Sequence, residues 1–197
     1  MKPSRMEAFS DGVIAIIITI MVLGLQPPHG HDLHALRPLI PTFLTYVLSF
    51  VYLGIYWNNH HHLIRATNKV TGVILWANLH LLFWLTLFPF FTSWIGSTHF
   101  AVIPVLLYGV DLLLAAIAFY TLQQLIMRSQ GENSLLRHAV GSDIKGKLSL
   151  FLYSAGILVT NLSVYFAMSL YILVAIMWFI PDRRIETHMD SDHAHDD

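Results

Sequence analysis

The sequence predicts an all-α integral membrane protein, and three observations carry that expectation. Charged residues make up 12% of the chain while 55% of it is hydrophobic, about half the charge density of a soluble domain. Apolar runs of membrane-spanning length recur along the chain, separated by prolines and polar clusters. The basic residues fall almost wholly on one side of the alternation that those runs set up.

Six transmembrane helices are expected. The first covers residues 7–25, an almost wholly apolar run that Pro27 and Pro28 terminate, because proline cannot continue a helix. Lys2 and Arg5 ahead of an apolar run resemble a signal peptide. Glu7 and Asp11 oppose that, as does the lack of a small-residue cleavage site, so the run reads as a retained span. A polar loop over residues 26–38 holds His29, His31, Asp32, His34 and Arg37. The second span covers residues 41–64, and its later part holds Tyr56, Trp57 and the run His60, His61, His62. Tyr56 and Trp57 suit an interfacial aromatic belt.

The third span covers residues 70–91 with Asn78 and His80 inside it, and Pro89 kinks or ends it. A short polar loop is expected over residues 92–99. The fourth span covers residues 101–127 and contains Asp111. A polar linker, residues 128–147, precedes an apolar stretch of about 33 residues, too long for one comfortable span. A break near Thr160, Asn161, Leu162 and Ser163 divides it into spans at 146–161 and 164–180. These spans form one membrane domain, residues 1–181. The tail, residues 182–197, is acidic, rich in His and expected to be disordered.

With six spans both termini share a side. That side holds Lys2, Arg5, Arg65, Lys69, Arg128, Arg137, Lys145, Lys147, Arg183 and Arg184, ten residues against Arg37 alone on the other. The positive-inside rule then makes both termini cytoplasmic in a multi-pass cell-membrane protein. Net charge is −1 and cysteine is absent, so no basic patch points to nucleic acid and thiolate chemistry is excluded. There is no Ser/His/Asp arrangement, no HExxH and no glycine-rich phosphate loop, so no enzyme is expected and no cofactor is implied.

The first span carries the most information. Gly12, Ile16, Thr19 and Leu23 follow an i, i+4, i+7, i+11 spacing and share one helical face, which Ile20 borders. One reading packs that face on other helices, with the Thr19 hydroxyl bonded back to the carbonyl of Ala15. The other brings identical faces from several chains around an axis. Apolar rings would then form a constriction with a hydroxyl ring between them. Periodicity alone does not choose.

The pattern Arg5-x-x-x-Phe9-Ser10-Asp11-Gly12-Val13-x-Ala15-Ile16-x-x-Thr19 resembles the Arg…Phe-Ser-Asp signature of the lysosomal potassium channel family and its bacterial members. Tyr46-x-x-Ser49-Phe50, Trp57-x-x-His60-His61, Asn78-Leu79 and Pro89-Phe90 are similar to the family's second and third spans. The resemblance implies a six-span chain that assembles as a homotetramer in the bilayer, with the first helix of each copy lining a central pore. K+ would be the permeating ion. It implies a constriction at Ile16, selectivity from Thr19 and a further apolar layer at Leu23 with Ile20 adjacent. It also implies a buried polar network of Arg5, Phe9, Ser10 and Asp11 with Trp57, His61 and Asn78. Without the resemblance, Ser10 and Asp11 read as helix-capping residues and Arg5 as a headgroup anchor.

Three further groups invite site readings. Adjacent residues on a helix point about 100° apart, so His60, His61 and His62 cannot share one metal ion well. One or two of them read as interfacial hydrogen-bonding groups, and no metal site is expected. His80 reads as a satisfied core polar residue. Asp111 reads as a buried carboxylate bonded to a Ser, Thr, Tyr or His of a neighbouring helix. Two functions follow from these residues. The first is a potassium-selective leak channel conducting passively through the hydrophobic constriction of the first helix. The alternative is a secondary cation or proton-coupled transporter using intramembrane Asp11, Asp111 and His80.

Overall fold

The structure is a computed structural model that describes residues 2–130 and 143–179. The tail assigned to residues 182–197 and most of the polar linker lie outside the described residues. Within them the chain is helical, with no strand: α1 (Pro3–Val22), a 3₁₀ helix (Leu33–Leu39), α2 (Ile40–Arg65), α3 (Gly72–Thr86), α4 (Phe88–Ser97), α5 (Val102–Ser129), α6 (Ile144–Val159) and α7 (Val164–Phe179). Three helical stretches are long and apolar enough to cross a membrane, Leu33–Arg65, Gly72–Ser97 and Val102–Ser129, and Val164–Phe179 is a shorter apolar helix.

The helix ends follow local chemistry. Pro3 stands in the first turn of α1, where its missing N–H costs nothing. The helix therefore starts four residues before the expected span. It ends at Val22, and Leu23 and Gly24 are held by tightened i→i−3 bonds to Ile20 and Met21. The later part of the loop expected over residues 26–38 is the 3₁₀ helix. Asp32 caps it by accepting from the Ala35 N–H at 3.1 Å.

The third span departs most from expectation. Helix α3 stops at Thr86, and α4 begins at Phe88 with Pro89 in its first turn. The proline breaks one helix and starts the next, so the polar loop expected from residue 92 is helical as far as Ser97. The real turn follows, where His99 and Phe100 take left-handed φ values of 51° and 61°. Bonds from the His99 N–H to Gly96 and from the Phe100 N–H to Ile95 close a Schellman motif there.

Helix α1 packs on α2, α3 and α4; α5 lies against α3 and α6; and α6 and α7 form a hairpin. Gln130, just past α5, donates to the Ala66 carbonyl just past α2, joining the ends of those two helices. The described basic residues other than Arg37 collect at that end or at helix termini continuous with it: Lys2, Arg5, Arg65, Lys69, Arg128, Lys145 and Lys147.

Tyr171 of α7 locks the α5–α6–α7 contact. It is fully buried, and a Cβ built on Gly109 or on Gly156 would run into its ring. Small residues at both points let the three helices approach closely. Gly109→Ala should therefore destabilise the fold by roughly 1–3 kcal/mol, the usual cost of overpacking. Gly72→Ala, which meets open space, should not. Thermal unfolding of the detergent-solubilised protein checks this: equal midpoints for the two variants would refute the packing argument.

Candidate functional site

Helix α1 has two unlike faces. Met6, Ser10, Ile14, Ile17 and Met21 are buried against the chain's other helices at i, i+4, i+8, i+11 and i+15. Phe9, Gly12, Ile16, Thr19, Ile20 and Leu23 are exposed on the other side. Ile16 is 58% exposed, Ile20 51% and Leu23 70%. That is a large apolar surface left uncovered among the described residues. The Thr19 hydroxyl donates to the Ile16 carbonyl at 2.9 Å, rather than to Ala15. Its proton is spent on the helix, so its lone pairs are free to accept or to face a cation.

The buried face is fixed by polar contacts. The Ser10 hydroxyl donates to the Met6 carbonyl at 2.9 Å and accepts from Asn78 Nδ2 of α3 at 2.9 Å. Asn78 Oδ1 accepts from His60 Nε2 of α2 at 2.7 Å. An amide oxygen only accepts, so Nε2 carries the His60 proton. Ser10 and His60 are fully buried and Asn78 is 1% exposed. One amide thus ties three helices together where no water competes.

Two further contacts join α1 to α2 like rungs. Trp57 Nε1 donates to Asp11 Oδ1 at 3.0 Å, and His61 Nδ1 lies 2.7 Å from Glu7 Oε1. Glu7 and Asp11 are one turn apart, as are Trp57 and His61, so antiparallel helices bring the pairs into register. The Trp57 and His61 rings stack between the rungs, with centroids 6.2 Å apart.

Of the residues named from sequence, the structure brings together Ser10 with Asn78, and Asp11 with Trp57. His61 joins through Glu7, which lies outside the expected network. Arg5 and Phe9 stand exposed, and among the described residues no carboxylate lies within ion-pair distance of Arg5. Of the three consecutive histidines, His60, named in the family-like pattern but not among the expected network residues, is the buried member. A readable signal marked it: Thr45, Ser49, Tyr52, Tyr56 and His60 recur at three- and four-residue spacing along the buried stripe of α2.

His80 is not a core residue. It lies exposed and accepts from Trp84 Nε1 one turn away at 2.9 Å. Asp111 is 2% exposed as expected, but neither carboxylate oxygen has a hydrogen-bond partner among the described residues. The described residues hold no cluster of three His, Cys, Asp or Glu side chains that could bind a metal.

Known proteins resemble this chain in sequence and fold. Residues 5–89, which span α1, α2 and α3 with every contact just described, match the family described as endosomal/lysosomal potassium channel TMEM175. The chain is 54% identical over 186 residues to a potassium channel of a Chryseobacterium species, covering 94% of this chain and 97% of that one. It is 35% identical over 100 residues to a potassium channel of Streptomyces collinus, covering 49% of this chain and 48% of that one. The crystal structure of a lysosomal potassium-selective channel TMEM175 homolog from Chamaesiphon minutus matches with a TM-score of 0.80 at 26% identity, over 91% of this chain and 97% of that one. The Chryseobacterium match runs through the rear helices as well as the front, and the chain belongs to the TMEM175 family.

Proposed function

We propose that the protein is a potassium-selective leak channel of the cell membrane, a homotetramer in which the exposed faces of four α1 helices surround the pore. The observation that carries this reading is the division of α1. Its rear is fixed by Asn78, Trp57 and His61, while its front leaves Ile16, Thr19, Ile20 and Leu23 exposed among the described residues. Names of similar proteins support the ion: relatives are called potassium channels, and the matching solved structure is called potassium-selective.

In this arrangement Ile16 and Leu23 form apolar rings about 10 Å apart along the axis. Narrow apolar rings resist wetting and set the barrier. Thr19 lies between them and offers four hydroxyl oxygens in place of part of the ion's hydration shell. The rungs and the Ser10–Asn78–His60 contact hold each α1 at a fixed rotation, which keeps the same residues on the axis. Six spans cross the bilayer with both termini cytoplasmic, supported by the ten-to-one distribution of basic residues. No span carries a row of arginines, so conduction is expected to depend weakly on voltage.

The carrier reading gains no support. It needs Asp11, Asp111 and His80 to act together, yet Asp11 is bonded to Trp57 of α2 and His80 to Trp84 of its own helix.

Purified protein in liposomes loaded with K+ tests the proposal. A channel clamps the membrane potential near the K+ equilibrium value and discharges the gradient without saturating. Slow, saturable flux coupled to a second ion, with no such clamp, would refute it.

A further inference from the structure

Asp111 is the one buried aspartate among the described residues, and the pore does not use it. An ionised carboxylate costs several kcal/mol to bury unless it is paired. Here both oxygens lack a partner, and no Lys, Arg or His forms an ion pair with it among the described residues. The groups around it are weak acids. Tyr56 of α2 and Tyr108 of α5 lie within electrostatic reach of the carboxyl. Beyond them, α2 contributes Tyr52, α6 contributes Tyr153 and α7 contributes Tyr171, all buried. Helix α4 has no titratable side chain, and the one on α3, His80, is turned outward to Trp84. His60, one turn beyond Tyr56, is bonded to Asn78. The remaining remedy for an unpaired buried carboxylate is the smallest cation, a proton.

A route for that proton adjoins the site. A cavity of about 50 Å³ lies among α2, α5, α6 and α7, lined by Tyr56, Asn59, Ala116, Gln123, Ser149 and Trp178 among others. It has room for more than one water, and its amide and hydroxyl groups supply the bonds that water needs. Gln123 and Asn59 lie toward the basic end of the bundle, and Tyr56 is shared between the cavity and Asp111. On the far side, Tyr108 continues into a chain of hydroxyls: its OH lies 2.9 Å from Ser49 Oγ, which accepts from Thr92 Oγ1 at 2.7 Å. Thr92 also contacts Met21 Sδ on the rear of α1 at 3.8 Å.

We propose that Asp111 is a proton-binding site inside each subunit, off the ion path, filled through the cavity beside Tyr56 and joined by Tyr108, Ser49 and Thr92 to the rear of the pore helix. A proton bound there keeps the carboxyl neutral and leaves the Tyr108 hydroxyl on Ser49. Loss of the proton creates an anion that competes for that hydroxyl. The site goes beyond the channel reading and is tested without ion flux.

Infrared spectroscopy of the protein in lipid at pH 7 is the test. Wild type should show the carbonyl band of a protonated carboxylic acid that moves when aspartate carboxyls are labelled with ¹³C. Asp111→Asn, nearly isosteric, should lose that band. Transfer to D₂O should shift the wild-type band rapidly, and Ala116→Phe, which fills the cavity, should slow the shift by about tenfold or more, the effect of ~1.4 kcal/mol on a barrier. Absence of the band in wild type, or its survival in Asp111→Asn, overturns the site. An exchange rate unchanged in Ala116→Phe overturns the route. If Asp111→Asn fails to fold, the labelled wild type decides alone, since a protonated aspartate band then has one buried source among the described residues.

Discussion

Replacing Ile16 with asparagine should raise K+ conduction and lower the preference for K+ over Na+. In the proposed tetramer four Ile16 side chains would stand at one level of the pore and form its narrowest apolar ring, and such a ring obstructs ions because water leaves it. Four amides at that level hold water in place. A fall of ~1.4 kcal/mol in the barrier is enough for a tenfold rise in rate, and an amide removes much of the penalty that an isobutyl-sized apolar surface imposes. Ile16→Val keeps the ring apolar and should stay near wild type. The pair separates two placements of the residue. If the 58% exposed Ile16 faced lipid instead of a pore, asparagine there would lower stability and leave permeability alone. Flux and permeability ratios in proteoliposomes, measured beside thermal unfolding, decide between these outcomes.

The division of α1 was legible because it depends on helical spacing. Gly12, Ile16, Thr19 and Leu23 group at i, i+4, i+7 and i+11 in any α-helix, whatever it packs on. The identity of the fixed face was less legible, since that depends on which neighbours meet it. Ser10 and Asn78 meet directly, but Arg5, grouped with them by its place in the motif, stands exposed. His61 was favoured over His60, though the stripe Ser49, Tyr52, Tyr56 and His60 marks His60 as the residue on the buried side. Two misses had physical causes that spacing does not express. Pro89 can end a helix or begin one, and here it does both within three residues, because the chain restarts at Phe88 with the proline in the first turn. Asp111 was expected to find a hydroxyl partner. Tyrosines do surround it, but Tyr108 is bonded to Ser49 and Tyr52 to the Tyr171 carbonyl. Such competition among partners is settled only when several helices are packed together.

Asn78→Leu should weaken the hold on α1 more than its size suggests. Leucine matches asparagine closely enough to avoid a large cavity, so the effect isolates the two hydrogen bonds. Interhelical hydrogen bonds in membranes average about 0.6 kcal/mol, because a separated helix finds other partners. Ser10 has one already in the Met6 carbonyl, so its loss is small. His60 is different. Its Nδ1 has no partner among the described residues, and Nε2 has only Asn78. Leucine leaves both ring nitrogens of a fully buried imidazole unmatched, and one such orphan costs about 1–3 kcal/mol. The double variant Asn78→Leu, His60→Leu should therefore recover part of what the single variant loses, as replacing both partners by apolar groups often does. Thermal unfolding of the wild type, both single variants and the double variant completes the cycle. Additive losses would show that His60 and Asn78 do not act as a pair. Recovery in the double variant would place the cost in the stranded histidine, and the rotation of α1 would then rest on the Trp57 and His61 rungs and the apolar packing of Met6, Ile14, Ile17 and Met21.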